Sequence, residues 1–412
     1  MVGIAMRPGN QIKDLASKLG KDGDNLVHTY IKIDGDNTIT AIIPHSEMGQ
    51  GVHTALGQML AEELDADWDR IKVEEAPALG EYASYSAVRR YLLAGIEFPK
   101  ILIPTVDGMM MRVADTLNMQ ITGGSLSVRS TGFLAMRIAG ASTREMIQRA
   151  AAKSWDVPVD EIVAEKSHVL HMASSRREPY ATFTDEIASM TPSQTPTFKK
   201  VADYKIVGKS VPRRDIPQKV DGSAKFALDT RLPDMAYASV LRSPVPGGSL
   251  VSLDDSAAKS MPGVIEVVKI PATSVTNMLG EMRASEAVAV VADSYWTANS
   301  ALQALEINWS KTEYDSVSSE SIYEQFDRDI SARVDRTSDR LEGEVDSAFS
   351  GAVKVIDADY HVPFLAHTCM EPLNATADVR EDSAEIWVGC QNPLGFRRVV
   401  ADFLELDTEK VT

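Results

Sequence analysis

The sequence predicts an α+β protein built from more than one domain, and three observations carry that prediction. Its 412 residues suffice for two or three separate cores. Alternating β runs and helices with apolar residues at helical spacing recur along the chain. A polar stretch through Pro192, Ser193 and Pro196, and a charged, serine-rich one from Val317 to about Gly351, read as connections between domains.

Composition narrows the function. The apolar and charged fractions are those of ordinary globular proteins. A formal charge of −17, from 59 acidic against 42 basic residues, argues against nucleic acid, whose phosphates would be repelled over most of the surface. The only cysteines, Cys369 and Cys390, are too few for an iron–sulfur cluster or structural zinc, each of which takes about four ligands. No apolar run approaches the ~20 residues that span a bilayer. The segment Met1–Arg7 lacks both a signal h-region and a twin arginine, which read literally leaves the chain in the cytoplasm.

In order, residues 26–43 read as a β-hairpin: Val27, Thr29, Ile31 and Ile33 alternate, Asp34-Gly35-Asp36-Asn37 turns, and Thr38–Ile43 returns. Next comes Met48-Gly49-Gln50-Gly51-Val52-His53-Thr54, and then a helix carrying Ala55, Leu56, Met59, Leu60 and Leu64 on its apolar positions. Glycines between a strand and a helix let backbone N–H groups approach an anion, and the helix adds its positive end. The Gln50 amide both donates and accepts, which suits an oxo group, a pterin edge or a phosphate. A tight turn without a ligand would use the same residues. The acids Glu62, Glu63, Asp65, Asp67 and Asp69 at the end of this helix read as a solvated face rather than a metal site.

A strand over 71–76 follows, then a poorly periodic insertion over about 79–118 with three successive methionines, Met109–Met111. A second small-residue loop, Thr122-Gly123-Gly124-Ser125-Leu126-Ser127-Val128, precedes a long helix whose buried face carries Met136, Ala139, Gly140, Thr143, Ile147 and Ala150. Ser125 and Ser127 offer hydroxyls to a ligand, although a serine before a helix is most often a cap. Further strands are expected at 166–172, 237–241, 264–268, 353–360, 375–379 and 384–388. A helix over 293–306 would present Trp296, Ala298, Ala301, Leu302 and Leu305.

With both loops in this order, the chain resembles the large, molybdenum-binding subunit of the xanthine oxidase family of molybdenum hydroxylases, most of all isoquinoline 1-oxidoreductase β-subunits and membrane-linked aldehyde dehydrogenases. The resemblance runs from about residue 25. It rests on Glu47–Thr54, Thr122–Arg129, Ile206–Asp215 with Lys219–Gly222, Leu241–Pro244, Ala366–Pro372 and Trp387–Asn392. It implies a molybdopterin-binding α+β domain interrupted by a hammerhead-like α+β domain. The organisation is then an N-terminal extension (1–24), a molybdopterin-binding segment with both glycine loops (25–200), the hammerhead-like domain (201–315), a linker (316–350) and the start of a second molybdopterin-binding domain (351–412).

The resemblance further implies that Gly49, Gln50, Gly51, Val52 and His53 hold a molybdenum–molybdopterin cofactor, in the cytosine dinucleotide form. Gly123, Gly124, Ser125, Leu126 and Ser127 would hold it from another side, and Gln391 would face an oxygen on the metal. An amide at a strand end can polarise such an oxygen without becoming a ligand itself, and an exposed strand-end amide is the plain alternative. No metal ligand is assigned to this chain. A carboxylate at Glu371 beside His367 could work as a base, but a buried pair holding two strands together is the preferred reading; the family's base is a glutamate that would lie beyond Thr412. The catalytic residue is therefore unknown, and the chain reads as roughly the first half of a subunit that stops within a strand near Lys410–Thr412. Expected partners are a small two-cluster iron–sulfur subunit that carries the clusters, a c-type cytochrome subunit, and the missing C-terminal half. The family resemblance places such subunits in the periplasm, by an N-terminus not seen here or with a partner's export. The rival expectation is a non-catalytic remnant that binds no cofactor alone.

Overall fold

The computed structural model describes residues 12–93, 96–123, 125, 127–277, 280–332 and 342–412. The chain divides into two compact units, Met1–Thr230 with Leu373–Thr412, and Arg231–Pro372.

The first unit is built on a four-stranded sheet, β1 (Leu26–His28), β2 (Ile31–Ile33), β3 (Ile39–Ile43) and β4 (Ile71–Glu75), in that spatial order. The first arm of the expected hairpin is thus two short strands, which pair with each other with a register shift between Leu26 and His28. The turn into β3 is closed by Asn37, which takes φ 68°. Buried, its side chain donates to Ser167 O and accepts from Ala181 N–H. Strands β3 and β4 are parallel, so the helix between them, α1 (Val52–Leu64), is a crossover. The loop before α1 therefore lies off the carboxyl end of a parallel strand, the usual place for a ligand in such units.

Every residue of β3 is buried. Against the sheet lies α1, and against α1 lies a long helix that begins as a wide π turn over Ser127–Met136 and continues as α-helix over Arg137–Trp155. The small residues expected on its inner face are buried. Their size is needed: a Cβ on Gly140 would stand 2.4 Å from Leu60 O, so only glycine lets the two helices approach this closely. The stretch 79–118, which shows little periodicity, holds two helices, Tyr85–Leu92 and Ile103–Thr116. Its pattern is blurred by a charge inside: Asp107 is buried and accepts from Arg89 at 2.8 Å. A three-stranded antiparallel sheet, Ile162–Glu165, His168–His171 and Arg176–Pro179, lies beyond the long helix in the chain. Residues Ala375–Val379 and Ala384–Val388 form an antiparallel pair, and Thr412 extends its edge by donating to Ala384 O and accepting from Ile386 N–H.

Glu62 and Glu63 correct the sequence reading of a solvated face, which holds for the exposed Asp69. Glu62 and Glu63 are each 1 % exposed. Glu62 accepts from Lys199 Nζ at 2.5 Å and from the N–H groups of Lys205, Ile206 and Val207 at 2.9, 2.6 and 3.0 Å. Glu63 accepts from Nε and NH2 of Arg137 and from Lys199 N–H. Residues 199–215 thereby form a strap along one face of α1. The Gln58 amide donates to Ile206 O and Lys209 O, and the Thr54 hydroxyl accepts from Arg214 N–H. Thr54, Gln58 and Glu62 are spaced by four, one turn apart on a single face. This polar row holds the chain against α1 as far as Arg214.

The second unit contains a three-stranded antiparallel sheet of Val264–Ile270, Ala287–Ala292 and Tyr237–Arg242, with two further strand pairs. Helix Tyr295–Gln303 buries Ala298, Ala301 and Leu302, but Trp296 is 79 % exposed, on the opposite face of the helix. The expected connection over 317–351 carries two exposed helices, Ser319–Ser331 and Val345–Ser350. Residues 353–360, expected as a strand, make no ladder and are exposed. His367 is exposed as well, which removes the reading of a buried pair with Glu371.

Candidate functional site

Three segments far apart in sequence meet at the carboxyl end of β3. Ser46 N–H donates to Thr122 Oγ1 at 3.0 Å and Ser46 Oγ to Cys390 O at 2.9 Å. Thr122 N–H donates to Gln391 O at 2.8 Å, and Gln391 Nε2 returns a bond to Thr122 O at 2.9 Å. The first glycine loop, the second small-residue loop and the strand end at Gln391 are thus joined in one hydrogen-bonded knot. Behind it sits His45, 2 % exposed, with Nε2 at 2.8 Å from Thr131 Oγ1. Burial lowers the pKa of His45 from its ordinary value to about 4, so at neutral pH it is an uncharged spacer.

The first loop is held from inside. Gly49 and Gly51 take φ 93° and 78°, which turns the N–H groups of Gly49, Gly51 and His53 toward the Glu47 carboxylate at 2.9, 2.9 and 3.2 Å. Glu47 in turn receives Arg213 NH2 at 3.3 Å, while Arg213 NH1 donates to Gly49 O at 2.9 Å. Arg213 is anchored on Asp215 through Nε and NH2. That pairing, with Lys219, holds the Asp215 carboxyl well below the usual carboxylate range. Gln50 also folds onto the loop: Oε1 accepts from Met48 N–H at 2.5 Å and Nε2 donates to Ser46 O at 2.9 Å. The His53 ring meets His45 O at 2.8 Å. Beside it, burial and the nearby Glu47 raise the Glu75 carboxyl, against the opposing Ser46 hydroxyl and His53.

Among the residues expected to hold a cofactor, Gly49, Gln50, Ser125 and Gln391 are exposed, and Gly51, His53 and Gly123 are half-buried. Val52 is buried and packs into the core, so only its backbone could meet a ligand. Ser127 is buried at the start of the π turn. A Cβ on Gly123 would stand 3.9 Å from Gln391 Nε2, so these two residues face one another. Gly124 and Leu126 lie outside the described residues. A carboxamide carries two N–H donors, and Gln50 and Gln391 each spend one inside the chain, which leaves one apiece to turn outward. That donor set, neutral and edged by glycine, fits the oxygen and nitrogen rim of a pterin. Among the described residues no group of three or more His, Cys, Asp or Glu could hold a metal ion, and no helix is long and apolar enough to cross a membrane.

Sequence reasoning gave no role to Ser46, Thr122, Glu47 or Arg213. The row of Thr54, Gln58 and Glu62 was the available signal, because a polar stripe on a helix that is otherwise buried calls for a chain to cover it.

Residues 326–412 and 1–81 match two models of the molybdopterin cofactor-binding domain. The chain is 28% identical to the beta chain of isoquinoline 1-oxidoreductase from Brevundimonas diminuta, over 93% of this chain and 49% of that one. It is 27% identical to membrane-bound aldehyde dehydrogenase (pyrroloquinoline-quinone) of Gluconacetobacter polyoxogenes, over 100% and 48%. The chain thus spans about half the length of these curated relatives. Quinoline 2-oxidoreductase from Pseudomonas putida 86 matches half of the chain and 29% of its own at 20% identity, with a TM-score of 0.35, too loosely to place any residue. Sequence similar to molybdopterin cofactor-binding domains thus lies at both ends of the chain, and similarity to large subunits of molybdenum-dependent oxidoreductases runs along nearly its whole length.

Proposed function

We propose that this chain supplies the molybdopterin-binding part of an oxidoreductase that hydroxylates an aldehyde or an N-heteroaromatic carbon with water-derived oxygen. The observation that carries this reading is the knot of Ser46, Thr122, Cys390 and Gln391, which brings three separately read loops to one place. The bound cofactor would supply the oxygen-transfer and redox chemistry. Gly49, Gly51 and Gly123 would give it close backbone, while Gln50, Ser125, Ser127 and Gln391 would give it polar contacts; the cytosine dinucleotide form is the one proposed. Electrons would leave through a separate iron–sulfur protein, because the two cysteines of this chain fall short of the roughly four ligands that a cluster takes.

The test is expression of residues 1–412 alone and with an iron–sulfur chain and the remainder of a large subunit, measuring molybdenum, pterin and aldehyde-dependent dye reduction. Metal and pterin in the assembly are expected, with dye reduction only there. Absence of both from the assembly would overturn the reading. A second reading, a remnant that binds no cofactor by itself, is favoured by one observation: the Gly49, Gly51 and His53 N–H groups are already engaged by Glu47. Cofactor content of the assembly separates the two.

A further inference from the structure

The loop that opens α1 has the form of an anion nest, yet the chain fills it with its own carboxylate. Three N–H groups converge on Glu47, whose side chain is 7 % exposed, and the cation on that carboxylate, Arg213, arrives from the strap, far along the chain. Arg213 holds both sides of the turn at once, because it binds the Glu47 carboxylate and the Gly49 carbonyl. A planar fork spans these acceptors from fixed directions, whereas a lysine offers a single point from which its three donors rotate. The outer edge of the same turn is different: Met48 is 53 % exposed, and Gly49 has nothing within 4 Å of where a Cβ would be.

From this we propose that Glu47 and Arg213 are positioning residues that lock the glycine loop in its ligand-ready shape, and that the loop meets the cofactor through its exposed outer edge and not by binding a phosphate on its N–H groups. The proposal rests on the functional reading above and narrows it. A phosphate arm would have to displace a carboxylate held by three N–H groups and a guanidinium. A neutral ring edge would lie against Met48, Gly49 and the outward N–H of Gln50 without disturbing that lock. Loss of either locking residue would therefore loosen the loop first and the cofactor as a consequence.

The experiment uses the 412-residue chain without cofactor and the assembled complex in parallel. Amide hydrogen exchange at Gly49, Gly51 and His53 is followed in wild type, Glu47→Ala, Glu47→Gln, Arg213→Lys and Arg213→Met, with the thermal midpoint as a check on folding and inorganic phosphate as the probe anion. Glu47→Ala is expected to speed exchange at these three amides about tenfold or more, the loss of charge-assisted bonds, with the rest of α1 unchanged. Arg213→Lys should restore only part of what Arg213→Met loses. Phosphate should protect the three amides in Glu47→Ala and leave wild type unaffected. Unchanged exchange in Glu47→Ala, or protection of wild-type amides by phosphate, would overturn the proposal. Should Glu47→Ala not fold, Glu47→Gln, which keeps the volume and one acceptor, carries the same comparison. Faster exchange with undiminished molybdenum in the complex would keep the positioning role and remove this loop from the cofactor site, so the two readings fail separately.

Discussion

The two ends of α1 use the same chemistry and reach opposite results. At the C-terminal end Glu62 and Glu63 are sunk in the core, and the groups that answer them, the Lys199 ammonium, Arg137 and four strap N–H groups, are themselves largely covered. Arg137 is further flanked by the rings of Phe133 and Phe198, at 5.0 and 4.4 Å. At the N-terminal end Glu47 is answered just as completely, but the turn around it leaves Met48, Gly49 and Gln50 in solvent. A buried carboxylate fed by backbone N–H groups thus clamps a distant segment at one end and shapes an open turn at the other. What separates them is whether the backbone donors belong to a distant strap, which closes the site, or to the loop itself, which keeps an open face.

The largest expected effect breaks the closed end. Glu62→Ala should destabilise the chain by about 3–5 kcal/mol, the usual result of breaking a buried ion pair from one side, because it takes from Lys199 one of its two carboxylates and leaves the N–H groups of Lys205, Ile206 and Val207 without their acceptor. Denaturant unfolding measures it, and a loss below about 1 kcal/mol would show that the strap is not held by this residue. Next in size is a catalytic loss at the open end. Gln391→Ala should lower turnover of the assembled enzyme by about 2.7–4 kcal/mol, the cost of removing one donor aimed at developing charge, while molybdenum content stays close to wild type. Parallel losses of metal and rate would mark Gln391 as a tie to Thr122 and nothing more.

Acid should separate the ends. Burial pushes Glu62 up, but Lys199 and the N–H groups of Ile206 and Val207 outweigh it and hold the carboxyl below its ordinary value. Its contribution is present above the unfolded pKa and is lost as pH falls through the depressed folded one. His45 and His28 respond at higher pH. Both are lowered by burial to about 4, so between their unfolded value of about 6.5 and pH 4 the unfolded chain takes up protons that the folded chain refuses. Stability should fall by about 1.4 kcal/mol per pH unit for each histidine over that window. Exchange at the first glycine loop, backed by His45, should rise before exchange at Glu62 and Glu63 does. Simultaneous opening at both ends would erase the distinction.

Legibility in the sequence followed locality. The strands at 375–379 and 384–388 and the inner face of the long helix could be read because alternation and helical spacing are properties of neighbours. The first glycine loop could be read because the positive φ of Gly49 and Gly51 favours glycine. The solvated face assigned to Glu62 and Glu63 failed for the opposite reason: their partners lie at 137, 199 and 205–207, and charge alone does not reveal a distant cover. The insertion over 79–118 hid its helices because a buried ion pair, Arg89 with Asp107, occupies positions where apolar residues would announce a helix. The knot around Thr122 was half legible, since both glycine loops were named but the residues that join them, Ser46 and Thr122, carry no pattern of their own.

The smallest expected effect tests whether the open end works through side chains or through backbone shape. Ser125 is exposed and takes φ 60°, a conformation that costs an L-residue about 1–2 kcal/mol relative to glycine. Ser125→Ala keeps that cost and removes one hydroxyl, so it should leave stability unchanged and weaken cofactor retention by about 1 kcal/mol, roughly fivefold. Ser125→Gly removes the same hydroxyl but relieves the backbone, so it should raise stability slightly while retaining as little cofactor as the alanine variant. Molybdenum remaining after gel filtration of the assembled enzyme compares the two. Equal losses would assign the contact to the hydroxyl. Retention by the glycine variant at or above wild type would assign it to the shape of the turn and leave the side-chain contacts of the open end to Gln50 and Gln391.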